Sequence, residues 1–522
     1  MTCDMKKTLL SIFSALAVIT NLSAQDAPLR LGVAMKRYVI IFLSLMMLLQ
    51  ACTGGSKETY FTNPVIPEDL ADPSVIRVGD VYYACASSYN WGPEFPLFKS
   101  EDLVNWEQVG NIFQTKPEWT DAGFWAPELF EHNGRFYCYY SAGRASDGRH
   151  CLGAAVADFP QGPYEDMGVI LDSGTEQIDA FVFDDDGQLY ITWKAHGLDD
   201  CPIEIACSRL NDDGVTLEGE VFTILRDDER LGMEGQCMFK RDGWYYMLYS
   251  AKTCCGPGSD YDVRLARSRS IEGEWEKCPS NPVLAGDRIE VQSLGHGTTV
   301  ETPDGRLFYL CHAYIPGEEF YLSRRPFLSE LGSDGQGWIR CMTGAHAAIS
   351  QKTPFKGTVQ LIKTSSTDTF ESAVRDPSWT CPVSDGSFQV LCKRPFSVNY
   401  EVSACLKQDE EPLKGLIFFG SFGDYVSLAA EGDRIVLRSV VGNVSETLKS
   451  WPLPQGDLIL SAAVQGAVTA TFSWRCGEET GRFGDGVGLS QLMRWDSCFR
   501  PGICSSAVDP AKSFSEFSII SQ

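Results

Sequence analysis

The fold is decided by the stretch DAFVFDDDGQLYI, residues 179 to 191. Asp179 opens a short run of aromatic and β-branched residues, the Asp186-Gly187 pair follows, and a second apolar run begins at Leu189. Aromatic and β-branched residues pack well on a pleated sheet. Asp-Gly supplies the positive φ angles that a tight hairpin turn needs. The stretch therefore predicts a β-hairpin whose first strand begins at a carboxylate.

Four other stretches follow the same plan of polar residue, apolar strand, glycine turn and aromatic strand. Their polar residues are Asp72, Glu128, Glu234 and His296. With Asp179, the five polar residues lie 51 to 62 residues apart, a spacing typical of a four-stranded propeller blade with its loops. We therefore predict an all-β protein whose residues 62–345 form a five-bladed β-propeller. Ring closure would bring the five polar residues to one mouth, which we interpret as a functional site.

Residues 352–522 show no recurring carboxylate. Apolar or alternating runs, such as Leu416 to Phe419 and Tyr425 to Leu428, are separated by turns that contain glycine. This pattern is typical of two packed antiparallel sheets. We predict a β-sandwich accessory domain of jelly-roll type over this range.

The first 52 residues are predicted to be an export signal rather than part of the fold. A basic start at Met35 precedes an apolar run too short to span a bilayer comfortably, and Leu49 to Cys52 resembles a lipoprotein cleavage box. We expect lipidation of Cys52, a tether over residues 53–61, and an exported cell-envelope lipoprotein in the periplasm or on the outer surface. A second signal begins at Met5, so we infer a true start at Met35, with an uncleaved anchor as the alternative.

The net charge limits the classes of binding partner, and the spacing of the cysteines bears on disulfide bonding. The formal net charge is −25, which disfavours nucleic acid as a partner; membrane contact is expected only through the lipid on Cys52. The 19 cysteines are scattered rather than spaced as a disulfide framework. Cys254 and Cys255 are adjacent, which permits a vicinal disulfide near the site, although two ordinary loop thiols are the expectation.

Glycoside hydrolysis needs two carboxyl groups in opposed protonation states. We assign Asp72 as the general base. Glu234 precedes an apolar, aromatic strand, and such surroundings would raise the pKa of its carboxyl, as a general acid requires. Asp179 is assigned to orient and tune that acid. Taken alone, each of these residues also fits a structural role at a strand end or in a turn. Their repeated position in the five stretches favours the functional interpretation.

Substrate and cation candidates come from the same segments. Trp125 and Trp91 offer faces on which a sugar ring could stack, Glu128 is a candidate contact for a sugar hydroxyl, and Arg324 is a candidate hydrogen-bond fork; packing or surface roles are the alternatives. His296 between glycines is a candidate ligand of an axial cation held mostly through water, with a core histidine as the alternative. No organic cofactor is expected.

Together these motifs resemble glycoside hydrolase family 43 over about residues 62 to 345. The motifs that carry the resemblance are Ala71-Asp72-Pro73-Ser74, Trp125-Ala126-Pro127-Glu128, Ile178-Asp179-Ala180, Glu234-Gly235 and Gly295-His296-Gly297. The resemblance implies a five-bladed propeller, an inverting mechanism, the same three carboxylate roles and an axial Ca²⁺-type ion near His296. Arg324 matches the family's substrate-binding arginine only loosely. The C-terminal part, including Arg494-Trp495-Asp496, is similar to the concanavalin-like β-sandwich found in many xylosidases of this family.

We therefore expect an exo-acting, inverting glycosidase. It would release terminal L-arabinose or D-xylose from hemicellulose- or pectin-derived oligosaccharides, as an α-L-arabinofuranosidase or a β-xylosidase. An endo-arabinanase is the alternative within the enzymes. A catalytically silent carbohydrate-binding lipoprotein is the alternative from another class.

Overall fold

The five predicted hairpins are all present and open five successive antiparallel sheets. This computed structural model describes residues 58–197, 200–256, 258–317, 322–383, 386–494 and 497–522. The predicted export signals and Cys52 lie outside the described residues, as do Trp495 and Asp496. No helix among the described residues is long and apolar enough to cross a membrane.

The strands of the first 352 residues are short and follow one another with turns between them. The first group is β1 (Tyr60–Thr62), β2 (Ser74–Val78), β3 (Val81–Cys85), β4 (Trp91–Gly92), β5 (Glu94–Ser100) and β6 (Glu107–Phe113). The second is β7 (Trp125–His132), β8 (Arg135–Gly143), β9 (His150–Ala157) and β10 (Glu165–Leu171). The third is β11 (Gln177–Asp185), β12 (Gln188–Ala195), β13 (Glu204–Leu210) and β14 (Leu217–Arg226). The fourth is β15 (Met233–Arg241), β16 (Trp244–Ala251), β17 (Asp262–Ser268), β18 (Glu276–Lys277) and β19 (Leu284–Ala285). The fifth is β20 (Gln292–Glu301), β21 (Leu307–Tyr314), β22 (Arg325–Ser333), β23 (Ile339–Cys341) and β24 (Ser350–Lys352).

These strands form five sheets of one topology. The sheets run β2-β3-β5-β6, β7-β8-β9-β10, β11-β12-β13-β14, β15-β16-β17-β18 with β19 beside β17, and β20-β21-β22-β23. The first strand of each sheet contacts the first strand of the next, and β20 of the fifth sheet returns to contact β2 of the first. Five first strands thus lie in a closed cycle, and the all-β class predicted from the sequence is confirmed.

Hairpin chemistry accounts for the regularity of the sheets. Both turn residues have positive φ in Asn133-Gly134, Asp186-Gly187 and Asp242-Gly243. Such turns match the right-handed twist of the strands they join, and Asn, Asp and Gly tolerate these angles best. The turn dipeptides read from the sequence therefore fix where each first strand ends and its partner begins.

The C-terminal part contains two six-stranded antiparallel sheets. Its strands are β25 (Ser365–Asp368), β26 (Cys381–Pro382), β27 (Gln389–Cys392), β28 (Tyr400–Leu406), β29 (Leu413–Ser421), β30 (Asp424–Glu431), β31 (Arg434–Val441), β32 (Val444–Pro452), β33 (Leu458–Gln465), β34 (Thr469–Cys476), β35 (Glu479–Gly488), β36 (Arg500–Ser505) and β37 (Phe514–Ser521). Short 3-10 helices cover Ser490–Leu492 and Pro510–Ser513. The sheets run β25-β37-β28-β33-β34-β35 and β27-β36-β29-β30-β31-β32. Side chains from both sheets, among them Val402, Leu416 and Phe418, share one buried core.

The C-terminal sheets pack directly against the first of the five sheets. β26 pairs with β4, so that Cys381 lies opposite Gly92. Trp91 is buried there, with the ring of Phe419 at 5.8 Å and the guanidinium of Arg500 at 4.2 Å from its own ring. Thr59–Gln522 accordingly form one compact unit.

Candidate active site

A residue with positive φ lies near the start of the first strand of each of the five sheets, within the strand in four of them and two residues before β2 in the first. These residues are Asp72 (φ 53°), Ala126 (47°), Asp179 (61°), Gly235 (59°) and His296 (43°). In four of the sheets the strand register shifts at this point, which marks a β-bulge. A bulge kinks the strand and redirects its side chains. The repeat therefore presents five aligned positions at one mouth of the cycle of strands.

Side chains on the second strand of the preceding sheet, or just beyond it, hold the backbone N–H groups of four of these residues. The bonds run from Ala126 N to Ser87 Oγ (2.8 Å), from Asp179 N to Ser141 Oγ (3.0 Å), from His296 N to Ser250 Oγ (2.8 Å) and from Asp72 N to His312 Nδ1 (3.1 Å). Each sheet thus sets the position of its neighbour's bulge. In the fourth sheet, Gly235 N instead donates to Asp179 Oδ2 at 3.1 Å.

The mouth contains a cavity of about 280 Å³. Six residues singled out from the sequence or its repeat line it: Asp72, Trp125, Asp179, Glu234, His296 and Arg324. They come from all five sheets or the segments that join them. Three carboxyl groups, two aromatic or imidazole rings and one guanidinium therefore face a space of the size that one sugar unit needs.

Asp72 is held as a carboxylate. Arg324 Nη1 lies 3.5 Å from its Oδ1, and Ser87 donates a hydrogen bond to its Oδ2 at 2.6 Å. Burial alone would raise the pKa of this carboxyl, but Arg324 and His296 hold the pKa well below its usual range. His312 accepts from the Asp72 N–H, and burial lowers the pKa of His312 to about 4, so that this imidazole is neutral. Asp72 is therefore ionised and able to accept a proton.

Glu234 differs from the expectation. Burial would raise the pKa of its carboxyl, as predicted, but the ammonium of Lys194 lies 2.6 Å from Oε2 and the net pKa is lowered. Tyr261 also donates to Oε1 at 3.0 Å. The predicted rise was wrong because the ammonium of Lys194, on the preceding sheet, offsets the effect of burial.

The raised pKa belongs to Asp179 instead. Burial, together with the charges of Glu234 and Asp72, raises its pKa to about 6. Asp179 and Glu234 interact strongly, and a proton held by such a pair belongs to both carboxyls rather than to one. The pair thus retains a proton under mildly acidic conditions, next to an ionised Asp72.

His296 lies between the carboxylates. Its Nδ1 is 3.4 Å from Asp72 Oδ1 and 3.8 Å from Asp179 Oδ2. Its ring also covers Gly235, where an added Cβ would come within 2.6 Å of the His296 Cγ. Among the described residues no group of three or more His, Cys, Asp or Glu side chains could hold a metal ion. Ca²⁺ prefers six or more oxygen ligands, and no such cluster of described side chains supplies them.

Trp125 is supported from behind as a flat surface. The ring of His150 stacks on it at 3.8 Å with an interplanar angle of 15°. Burial lowers the pKa of His150 to about 4, so that this ring is neutral. A neutral ring packed against one face holds Trp125 in place at the edge of the cavity.

Two predicted substrate contacts lie elsewhere. Neither Glu128 nor Trp91 is among the described residues that line the cavity. The bulge of the second sheet is at Ala126, so Glu128 lies two residues further along the strand, where it is buried beside Ser74 and its pKa is raised by burial. Trp91 packs in the contact with the C-terminal sheets.

Several lining residues were not predicted. They are Tyr89, Glu176, Ile178 and Lys194. The pair Cys254–Cys255, which the sequence permits near the site, also lines the cavity and is bonded. Tyr89 accepts a hydrogen bond from Arg324 at 3.0 Å. Two ordinary thiols had been favoured at 254 and 255, and the structure has the vicinal disulfide instead. Counting hairpin register from Asp179 places Lys194 near the mouth, because it lies opposite Ile178 on the partner strand; its contact with Glu234 depends in addition on how the two sheets pack.

The chain is similar to known proteins in sequence and in fold. A family model described as Glycosyl hydrolases family 43 matches residues 61–339. The chain is 29% identical over 304 residues to the xylosidase/arabinosidase 43B of Humicola insolens, covering 55% of this chain and 52% of that relative. It is 28% identical to the extracellular exo-alpha-(1->5)-L-arabinofuranosidase of Cellvibrio japonicus, covering 52% and 85%. The chain spans about half the length of the first curated relatives it matches. In fold it matches the solved structure of Bacteroides ovatus xyloglucan PUL GH43B, with a TM-score of 0.77 at 20% identity, over 89% of this chain and 100% of that one.

Proposed function

Because the chain belongs to glycosyl hydrolases family 43, we propose that it is an inverting, exo-acting glycosidase that releases terminal L-arabinose or D-xylose from plant-derived oligosaccharides. One observation carries the proposal. Three carboxyl groups from three sheets meet in one cavity, where Asp72 is ionised while the pair of Asp179 and Glu234 holds a proton up to about pH 6. Opposed protonation states are what glycoside hydrolysis requires.

The closed cycle of first strands supports a five-bladed β-propeller as the architecture of the catalytic part. Each sheet contributes one residue with positive φ to the mouth, and a side chain of the preceding sheet binds the backbone N–H of each of the five. Catalytic groups from distant parts of the sequence thereby reach one sugar-sized space without a long loop. A rigid arrangement of this kind suits chemistry that depends on correct distances.

The proposed reaction is a single displacement. Glu234 gives its proton to the glycosidic oxygen, which takes the electron pair of the breaking C–O bond. Water adds to the anomeric carbon from the opposite face and passes its proton to Asp72. Asp179, through its bond from Gly235 N, holds the strand next to Glu234 and shares its proton. The carboxylate Asp72 and the protonated Glu234 are regenerated when water returns the proton.

Substrate contacts are proposed at two residues of the cavity. Trp125 offers its free face to the ring of the sugar, and Arg324, already held by Asp72 and Tyr89, can donate to ring hydroxyls. A cavity of about 280 Å³ supports action on a terminal unit. The C-terminal part lies close to the same mouth, since Val383 N donates to Asn90 O next to Tyr89, and a mouth flanked in this way also supports exo action.

Two further proposals concern a cation and a lipid anchor. A cation at His296 would be coordinated mainly by water, with the imidazole as its protein ligand, and no catalytic step is assigned to it. Lipidation at Cys52 would hold the enzyme at the cell envelope. Labelling of the cells with a radioactive fatty acid, compared between the chain and its Cys52→Ala variant, tests the second proposal.

The test of function compares an aryl β-D-xyloside with an aryl α-L-arabinofuranoside, and follows the first-formed product by ¹H NMR. We expect hydrolysis of at least one, with inversion at the anomeric carbon. Asp72→Asn and Glu234→Gln should each reduce turnover of an oligosaccharide by about 10²–10⁴-fold, with an unchanged circular dichroism spectrum. Turnover of arabinan but of neither aryl glycoside would favour an endo-arabinanase. Binding without turnover of any of them would refute an enzymatic role.

A further inference from the structure

One position recurs in all five sheets, and its occupant in the third sheet is out of keeping with the others. This position lies on the second strand of each sheet, or just beyond it. It is opposite the residue that precedes the positive-φ residue near the start of the first strand. Its occupants are Ser87, Ser141, Lys194, Ser250 and His312, which lie opposite Ala71, Trp125, Ile178, Glu234 and Gly295. Three are serines, and of these five described residues Lys194 alone carries a permanent charge.

The other four occupants share one structural task, which a lysine cannot perform. Each accepts a hydrogen bond from the bulge N–H of the next sheet, at 2.8 to 3.1 Å. A lysine ammonium has three donors and no acceptor. The N–H that Lys194 would have served, that of Gly235, is bound by Asp179 instead. Because the Gly235 N–H has its hydrogen bond from Asp179, the stability of the ring of sheets does not explain why a lysine occupies this position.

What Lys194 does contact is the proposed general acid. Its Nζ lies 2.6 Å from Glu234 Oε2, and the side chains are only 12% and 18% exposed. The charges of Asp179 and Glu176 also act on the ammonium, while His296 and Tyr261 face Glu234 from the other elements. A charge-assisted contact this short and this dry is much stronger than one in water.

We propose that Lys194 is a positioning residue that stabilises the carboxylate which Glu234 becomes as its proton passes to the glycosidic oxygen. This inference rests on the proposed function, in which Glu234 is the acid. Negative charge appears on Glu234 only as its O–H bond breaks and the new O–H bond forms on the leaving oxygen. A fixed cation aimed at that oxygen favours the transition state over the ground state. The same cation makes Glu234 harder to protonate before the reaction begins. Asp179 offsets this effect, because the pair of Asp179 and Glu234 retains a proton.

Leaving-group dependence separates this role from a structural one. A sugar alcohol is a poor leaving group and needs full proton transfer, whereas 2,4-dinitrophenolate leaves without it. Help given to the acid therefore matters for the first substrate and hardly for the second. A lysine that only braced the cavity would affect both substrates alike.

The experiment measures kcat/KM of wild type, Lys194→Met and Lys194→Arg on two substrates of the sugar that the wild type accepts: its 2,4-dinitrophenyl glycoside and the corresponding pentose disaccharide. We expect Lys194→Met to lose about tenfold to a hundredfold on the disaccharide and less than about threefold on the aryl glycoside. Lys194→Arg should recover most of the loss, because a cation remains. Lys194→Gln repeats the test with a polar side chain if methionine disturbs folding.

Matched controls make each outcome decisive. Lys240→Met removes a lysine that pairs with Asp185 and Asp186 outside the cavity, and should change neither substrate. Equal loss on both substrates, or no loss on either, overturns the role of Lys194. Glu234→Gln distinguishes that result from failure of the proposed function. If Glu234→Gln spares the aryl glycoside and Lys194→Met does not discriminate, only this inference falls; if Glu234→Gln has no effect, the proposed acid falls and this inference with it.

Discussion

Glu94 should make the protein less stable as the pH rises through neutrality. It is the first residue of β5, its side chain is buried at 3% exposure, and its Oε2 has no hydrogen-bond partner among the described residues. Burial raises the pKa of this carboxyl from 4.5 to about 7, despite the opposing charge of Lys116. The folded protein therefore keeps Glu94 protonated at pH values where the unfolded chain ionises it.

The size and sign of the effect follow from the linkage of proton binding to folding. The folded-state pKa is raised, so the contribution of Glu94 is fully present below about pH 4.5 and is lost as the pH rises through about 7. One pKa unit corresponds to about 1.4 kcal/mol. The shift at Glu94 therefore amounts to about 3 kcal/mol of unfolding free energy lost between those limits.

The perturbation is Glu94→Gln, which keeps the shape of the side chain and removes its titration. Between pH 4.5 and 8 we expect the free energy of unfolding of the variant to fall by about 3 kcal/mol less than that of the wild type. The measurement is urea unfolding followed by tryptophan fluorescence. Glu107→Gln, an exposed glutamate on the neighbouring strand β6, is the matched control and should follow the wild type. A difference between Glu94→Gln and wild type that stays constant over this pH range would refute the reasoning.

Three other outcomes are expected. The value of kcat/KM should fall above about pH 6, as the pair of Asp179 and Glu234 loses its proton; a profile flat from pH 5 to 8 would contradict this. Trp125→Ala should raise KM about 3- to 10-fold through lost ring stacking, with little change in kcat, measured by steady-state kinetics. Phe418→Ala removes a buried ring from the C-terminal core and should lower the free energy of unfolding by about 3–5 kcal/mol. The check is a lower Tm than that of the exposed control Val444→Ala.

The sequence predicts the hairpins and the gathering of the carboxylates, because both depend on local signals repeated five times. Asp186-Gly187 marks a turn whatever surrounds it, and a repeat must place equivalent residues at equivalent points. Asp72, Asp179 and Glu234 were found in this way. Glu128 was misplaced because the motif was aligned on its carboxylate, whereas the strand is aligned by its bulge at Ala126.

Contacts between sheets lie beyond such reasoning. The position of Lys194 beside Glu234 depends on how neighbouring sheets pack, and the pKa of Glu234 reverses direction because of that one contact. Trp91 shows the same limit: nothing near it in the sequence indicates that β26, almost 300 residues later, would cover it. Features of the site that follow from a local sequence pattern can be predicted from the sequence. Features that depend on a residue of a neighbouring sheet become known only from the structure.

The hydrogen bond from Asp72 N to His312 Nδ1 joins residues 240 positions apart, and it has a consequence for biogenesis. During synthesis Asp72, the first of the proposed catalytic residues to leave the ribosome, waits for the second strand of the fifth sheet before its backbone N–H is bound. Every truncated intermediate that ends before His312 should therefore be inert towards sugars. Competence for the proposed hydrolysis would then arrive in one late step, after the fifth sheet has been synthesised.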